Sequence, residues 1–249
     1  NESRVLMNAF KTLKPNLCLN LHGQRSIFGL ETKKPATVSF LSPSSNMDRK
    51  VTDSRRMAMQ LIVGLNNYLQ QLIPGQIGRY DDSFNVNCFG DTFQMEGVPV
   101  ILFEAGHIGN DYMREKTRAY LFYALVCLFE ILKQDDFPIN YKDYFLIPEN
   151  KKNYYDYILR NVLVNDSIKP TSIAIQFTES LEKGMIKFIP KITEIGALKN
   201  SYGHLEKDAN NSKILVNYQN NIEIGLNVSI INNKNDNSLI YFDENNHSF

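Results

Sequence analysis

The sequence lacks several features that would assign it to a broad functional class. Lys and Arg together number 27, and so do Asp and Glu, so the chain carries no net charge at neutral pH. A protein without excess positive charge has no electrostatic attraction for nucleic acid or for an anionic membrane surface. The composition therefore predicts no nucleic acid and no membrane among the partners.

The sequence also has no apolar run that is long enough to span a bilayer. The longest run, Ala119 to Leu132, has 14 residues, whereas a transmembrane helix needs about 20. This run also contains the charged Glu130, so it fits a buried helix better than a transmembrane helix. No signal peptide is recognisable, and Asn1 begins inside a helical pattern rather than at a methionine. We therefore expect the chain to start partway through a gene product.

Cysteine is scarce as well, with Cys18, Cys88 and Cys127 far apart in the sequence. An odd number of cysteines without paired spacing argues against a disulfide framework and against a cysteine-based zinc site. We expect these three side chains to behave as small buried hydrophobic groups.

What the first half does contain is an alternation of helical and strand patterns. Helical spacing of apolar residues predicts helices over 2–13, 48–73 and 112–133, and continuous apolar runs predict strands over 17–21 and 98–103. Such runs are typical of strands that are covered on both faces. The order predicts an α/β fold with a mostly parallel sheet and helices on both faces. Asn110 or Asp111 can cap the third helix, which we expect to be deeply packed because apolar residues nearly encircle it.

The pattern changes after Gln134. We expect one more helix over 147–164, followed from Ser172 by short β-type runs separated by Asn, Lys and Gly turns. Short strands with turn signals between them are typical of a small antiparallel β unit. The sequence therefore predicts an α/β domain over 1–133, a linker and helix over 134–171, and an accessory β domain over 172–249.

Both predicted strands of the first half end on a side chain that can bind a metal or transfer a proton. LCLNLHG stops at His22, and VILFEAGH runs into Glu104. Ligands of open α/β sheets bind at the carboxyl ends of the strands, and a buried carboxylate needs a reason for its burial. We therefore expect the two side chains to form one site. The alternatives are a hydrogen-bonded strand-end histidine and an ion pair between Glu104 and an arginine such as Arg114 or Arg118.

Two segments that contain these residues resemble parts of the zinc carboxypeptidases of the carboxypeptidase A and B type. NESRVLMNAFKTLKPNLCLNLHGQ is similar to the segment in which a helix leads into a strand that ends on the third zinc-binding histidine. VPVILFEAGH is similar to the strand that carries the catalytic glutamate. The resemblance covers roughly residues 1–133, and the order and separation of the two segments agree with the family.

The resemblance implies a zinc-dependent hydrolase that removes C-terminal residues from peptides. His22 would bind zinc, and Glu104 would take a proton from the zinc-bound water and pass one to the leaving amine. Zinc accepts imidazole nitrogen and lowers the pKa of bound water to about 7, and a nearby carboxylate can receive that proton.

The segment GRYDDSFNVNCFGDTF occupies the place of the family's loop that closes over the substrate. The resemblance implies that Tyr80 is the closing tyrosine and that Asp91 lines the specificity pocket. The alternatives are a loop aromatic and a turn aspartate. His107 would be a partner of Glu104 or a substrate contact. Because the Glu104–His107 spacing falls on a strand and turn rather than on a helix, the two side chains need not point together, and a turn histidine bonded to the backbone is the alternative.

The sequence departs from the family in one important respect. The His-x-x-Glu motif, which supplies the family's first two zinc ligands, does not occur in the chain. The family's arginine and Asn-Arg pair, which hold the substrate carboxylate, would also lie upstream of Asn1. The chain resembles the later part of a catalytic domain, and an associated N-terminal fragment is an expected partner. One ligand of three does not predict tight zinc binding. The remaining alternatives are a zinc amidase or deacylase on the same scaffold and a non-catalytic module that binds a peptide or glycan.

Overall fold

The computed structural model describes residues 1–134 and 138–240. Contacts within the chain divide it into two compact units, Asn1–Lys152 and Asn153–Phe249. In the described part of the chain, every helix is too short or too polar to cross a membrane.

The helices of the first unit confirm the three that the sequence predicts, with shorter bounds for two of them. They are α1 (Glu2–Leu13), α2 (Asp53–Leu69), α3 (Phe89–Met95) and α4 (Glu115–Leu132), and a 3₁₀ helix follows at Tyr141–Leu146. The expected role of Asp111 as a cap is confirmed, since its carboxylate accepts hydrogen bonds from the first-turn amides of Glu115 (3.2 Å) and Lys116 (2.9 Å).

The strands of the first unit form a mixed sheet and a small ribbon. Their bounds are β1 (Cys18–Gly23), β2 (Phe28–Gly29), β3 (Val38–Leu41), β4 (Ile77–Arg79), β5 (Val100–Ala105) and β6 (Lys151–Lys152). The sheet has the order β1-β5-β3-β4, in which β1 and β5 are parallel, β3 and β4 are parallel, and β3 and β5 are antiparallel. The ribbon pairs β2 with β6. The chain is therefore a mixed α/β protein.

Helices contact both faces of this sheet. Ile101 and Phe103 of β5 belong to the buried apolar cluster to which α2 and α4 contribute. Val100 points to the other face, where it shares a cavity with Leu6 of α1 and Phe93 of α3. Because side chains alternate along a strand, Glu104 lies on the Val100 face.

The expectation that α4 is deeply packed is wrong. Only Thr117, Ala124 and Leu128 are buried among its residues, while Phe122 and Phe129 are 62% and 57% exposed. When apolar residues occur all around a helix, their spacing does not show which face packs against the sheet. The expected burial of the cysteines is also wrong, since Cys88 is exposed and the other two are half-buried.

The second unit is built on a five-stranded sheet. Its strands are β7 (Tyr154–Leu163), β8 (Thr171–Glu182), β9 (Met185–Gly196), β10 (Tyr202–Val216) and β11 (Ile231–Asn233), in the order β11-β10-β7-β8-β9. All neighbouring pairs are antiparallel except β7 and β10, which are parallel. The purely antiparallel unit expected from the sequence is thus a mixed one.

The helix expected over 147–164 is wrong, because β6 and β7 occupy most of this range. The segment YYDYILRNVL is rich in the aromatic and β-branched residues that favour strands. Tyr157, Leu159 and Val162 of β7 are buried in the apolar cluster of the second unit. Pairing with β8 and β10 on either side therefore decides the conformation of this segment.

Candidate functional site

The sheet of the first unit places four residues in one row across its strands. His22 of β1 pairs in register with Glu104 of β5, Glu104 pairs with Ser39 of β3, and Ser39 pairs with Gly78 of β4. Residues in register on adjacent strands point to the same face. The structure thus brings together the two strand-end residues that the sequence singled out.

Glu104 is a buried carboxylate whose charge is incompletely compensated. Only 8% of the residue is exposed, and its Oε2 atom has no hydrogen-bond partner within residues 1–134 and 138–240. Burial raises the pKa of the Glu104 carboxyl, while the nearby His22 and Arg114 side chains act in the opposite direction. Glu104 therefore combines burial with one carboxylate oxygen to which no described residue donates a hydrogen bond.

His22 lies beside Glu104 but in a different environment. His22 is exposed, as are its neighbours Leu21 and Gly23. Among the described residues, β1 pairs with β5 alone, so His22 stands at the open edge of the sheet. The imidazole is accessible to an incoming metal ion or ligand.

Tyr80 directly follows β4, and its backbone N–H donates a 3.0 Å hydrogen bond to the Phe40 carbonyl. Its ring packs edge-on against Phe28 with 5.4 Å between centroids, and its hydroxyl is hydrogen-bonded to the Asn150 side chain. Burial raises the pKa of Tyr80, and the negative charge of Glu104 raises it further. Tyr80 is therefore a neutral hydroxyl close to Glu104.

Asn150 is a site residue that the sequence did not indicate. Its Nδ2 donates to Gln24 Oε1 (3.2 Å), and its Oδ1 accepts from Ser39 Oγ (3.1 Å). A Cβ atom on Gly78 would lie 1.9 Å from Asn150 Oδ1, so only glycine leaves room for this side chain. Gln24 and Asn150 are 126 residues apart, and no local pattern predicts that contact. Gly78 inside a strand is the one hint, because such a glycine often marks a close approach.

Arg114 contacts backbone carbonyl oxygens rather than the Glu104 carboxylate. Its Nη1 atom donates to the carbonyl oxygens of Gln24 (2.7 Å), Ala105 (2.7 Å) and Gly106 (2.9 Å). The ion pair considered between Glu104 and Arg114 or Arg118 does not occur in the described part of the chain. Arg114 therefore holds the backbone beyond the two strand ends.

His107 is 2% exposed, and its Nε2 atom is 2.8 Å from the Gly109 carbonyl oxygen. Its ring also packs against Tyr112, with 4.5 Å between centroids. Burial lowers the pKa of His107 to about 4, and the charge of Arg114 adds to that effect. His107 is thus a neutral imidazole bonded to the turn backbone, as the alternative reading of the sequence described.

Asp91 lies in the first turn of α3 rather than in a turn between elements, and it is buried. Burial raises the pKa of its carboxyl, while the charge of Arg55 lowers it. Arg55 is itself fully buried and forms an ion pair with Asp82. The structure therefore places Asp91 near the Arg55–Asp82 pair, on the helix that covers the Glu104 face of the sheet.

The residues at this edge fit zinc in part. An exposed imidazole is a suitable zinc ligand, and beside it Glu104 Oε2 is a buried acceptor that has no hydrogen-bond partner among the described residues. In the described ranges, however, no group of three or more His, Cys, Asp or Glu side chains is arranged to hold a metal ion. Comparisons with protein-family models, curated proteins and solved structures found no match to this chain. The site itself is therefore the basis for a functional proposal.

Proposed function

We propose that the first unit contributes part of the active site of a zinc-dependent hydrolase of the metallocarboxypeptidase type, which removes C-terminal residues from peptides. The observation that carries the proposal is the in-register pair of exposed His22 and buried Glu104 at the carboxyl ends of two parallel strands. This is the edge at which α/β sheets bind their ligands.

His22 would hold the metal through its imidazole. When bound, zinc supplies a Lewis acid and lowers the pKa of a water molecule to about 7. Glu104 acts as the general base, because its Oε2 atom is free to accept a proton. Its raised pKa moves it toward the operating pH, which favours both accepting the proton and later donating it to the leaving amine.

The other candidate residues receive supporting roles. Tyr80 offers a neutral hydroxyl beside Glu104 and can donate a hydrogen bond to the substrate. Asp91 lines the substrate pocket from α3. His107 supports the turn after Glu104 through its bond to Gly109 rather than reaching the substrate, since it is buried.

A catalytic zinc site has three protein ligands, so the proposal requires ligands beyond His22. We propose that they come from a polypeptide segment that pairs with the open edge of β1. An unpaired edge strand is a template for another strand, and a strand added parallel to β1 would end beside His22. Exposed apolar residues of α1, Val5 (67%) and Leu13 (76%), provide further surface for such a segment.

The first experiment measures zinc content and peptide hydrolysis together. The 249-residue chain is compared with a version that also carries any residues encoded ahead of Asn1, by elemental analysis and by release of C-terminal amino acids from peptides. The version with a complete site should hold close to one zinc per chain. Glu104→Gln should keep the zinc and lower kcat by about 10²–10⁴-fold, because the general base is lost.

The control is Glu96→Gln, which changes an exposed glutamate just after α3 and should leave kcat unchanged. A Glu104→Gln variant with the wild-type rate would contradict the hydrolase mechanism. Hydrolysis of N-acylated amino acids but not of peptides would identify a deacylase instead. Peptide or glycan binding without hydrolysis, unchanged in Glu104→Gln, would identify a binding module.

A further inference from the structure

Arg114 connects the chain segments that follow the two proposed site residues. Gln24 lies two residues after His22, and Ala105 and Gly106 directly follow Glu104. The carbonyl oxygens of all three surround a single nitrogen, Arg114 Nη1, at 2.7–2.9 Å. Such charge-assisted hydrogen bonds are shorter and stronger than neutral ones.

The backbone of Arg114 is also unusual. Its φ is 59° and its ψ is 23°, in the left-handed region that residues other than glycine seldom adopt. Arg114 adopts this conformation directly before α4, and the side chain of the same residue makes the three carbonyl contacts. The contacts supplement a direct hydrogen bond from the Gln24 N–H to the Ala105 carbonyl, at 2.9 Å.

We propose that Arg114 is a positioning residue for the hydrolysis described above, and the inference rests on that proposed function. Its guanidinium joins the backbone after His22 to the backbone after Glu104, and so fixes the separation and orientation of the two side chains. His22 stands on the edge strand, which has β5 as its one partner among the described strands. The Arg114 hydrogen bonds therefore hold the end of a strand that is paired on one side.

The size of the effect follows from the sensitivity of catalysis to geometry. A misplacement of about 1 Å can lower a rate by roughly 10²-fold. Loss of the three Arg114 hydrogen bonds would move the general base relative to the metal ligand, but it would remove no group that contacts the substrate. We therefore expect kcat to fall while KM changes little.

The experiment compares Arg114→Met, Arg114→Lys and Arg118→Met. Methionine has no donor, whereas lysine keeps a charged donor on a flexible stem. Arg118 is the matched control on α4, since its side chain is 65% exposed and contacts Glu115 and the Met113 carbonyl. Two readouts are taken: amide hydrogen exchange at Gln24 and Gly106, and kcat and KM of the zinc-loaded protein that hydrolyses peptides. The Tyr80 amide, bonded to Phe40, is the internal reference for exchange.

Arg114→Met should speed exchange at Gln24 and Gly106 at least tenfold, leave Tyr80 unchanged, and lower kcat by 10- to 100-fold with KM within threefold. Arg114→Lys should lie between it and the wild type, and it serves as the test if Arg114→Met does not fold. Arg118→Met should match the wild type. Unchanged exchange at Gln24 and Gly106, or faster exchange with unchanged kcat, overturns this inference alone. A wild-type protein that binds zinc but cleaves no peptide overturns the proposed function instead.

Discussion

Strands β1 and β5 lie side by side in register, yet their environments differ at the two matched positions that include the site. Leu21 is 58% exposed, while its partner Phe103 is fully buried. His22 is exposed, while its partner Glu104 is 8% exposed. The cause is sheet order: β5 lies between β1 and β3, whereas β1 has β5 as its one partner in the described ranges.

This difference divides the requirements of the proposed chemistry between the two strands. A metal ligand must be accessible to the incoming ion, and an exposed edge position provides that. A general base benefits from burial, which raises its pKa toward neutrality. Two adjacent strands that end at the same level thus present an open ligand and a shielded base next to each other.

The largest expected effect concerns the matched pair Phe103 and Leu21. Phe103→Ala should reduce the free energy of unfolding by about 3–5 kcal/mol, because it leaves a cavity in the core. Leu21→Ala should cost less than roughly 1 kcal/mol, because most of that side chain is already in water. Chemical denaturation of the two variants measures the contrast. Equal costs would mean that the edge of β1 is covered in solution, and the comparison would fail.

The next effect is a pH dependence that arises from the β5 side. The pKa of His107 is about 4 in the fold, against an ordinary value of 6.5. Between these two pH values the unfolded chain binds more protons than the folded chain. The contribution of neutral His107 to the free energy of unfolding is therefore complete above about pH 6.5 and is lost as the pH falls toward 4. The loss is on the order of 3 kcal/mol at most, since one pKa unit corresponds to about 1.4 kcal/mol. Urea unfolding at pH 7 and pH 4.5 should show it.

His107→Gln should flatten this pH dependence, because glutamine does not titrate in this range. The same slope in the wild type and in His107→Gln would show that other groups cause the acid sensitivity.

The smallest expected effect is on the stability of the metal-free chain when Glu104 or His22 is substituted. Burial raises the pKa of Glu104 above its ordinary value of 4.5. The contribution of Glu104 to the free energy of unfolding is therefore complete below pH 4.5 and is lost as the pH rises through its pKa in the folded state. Glu104→Gln has no such loss and should be more stable than the wild type at pH 7, on the order of 1 kcal/mol, with the gain vanishing near pH 4. His22→Ala should change stability by less than about 0.5 kcal/mol, as exposed substitutions do. Thermal melts at both pH values measure the difference, and a stabilised His22→Ala would contradict it.

The parts of the fold that were predictable from the sequence are those with a strong local pattern. The continuous apolar runs before His22 and Glu104 predicted the two strands, and the ends of these strands predicted that the two residues meet. The helix predicted over 147–164 is wrong because the aromatic and β-branched residues of this segment favour a strand, and pairing in the second unit forms β7 there.

The remainder of the site depends on contacts between distant segments. Asn150 reaches Ser39 and Gln24 from more than 100 residues away, and Arg114 binds backbone carbonyls, which carry no side-chain signature. The mixed direction of the sheet was also not predictable, because β3 and β4 are only four and three residues long.

The open edge of β1 has a consequence for the behaviour of the chain in solution. Cys18–Gly23 carries no lysine, proline or acidic residue that would discourage pairing with a second strand, and it contains the exposed Leu21. Edges of this type favour aggregation unless another strand covers them. If the proposed segment pairs with this edge, it would cover the exposed strand as well as complete the proposed site, so loss of the segment would lower solubility.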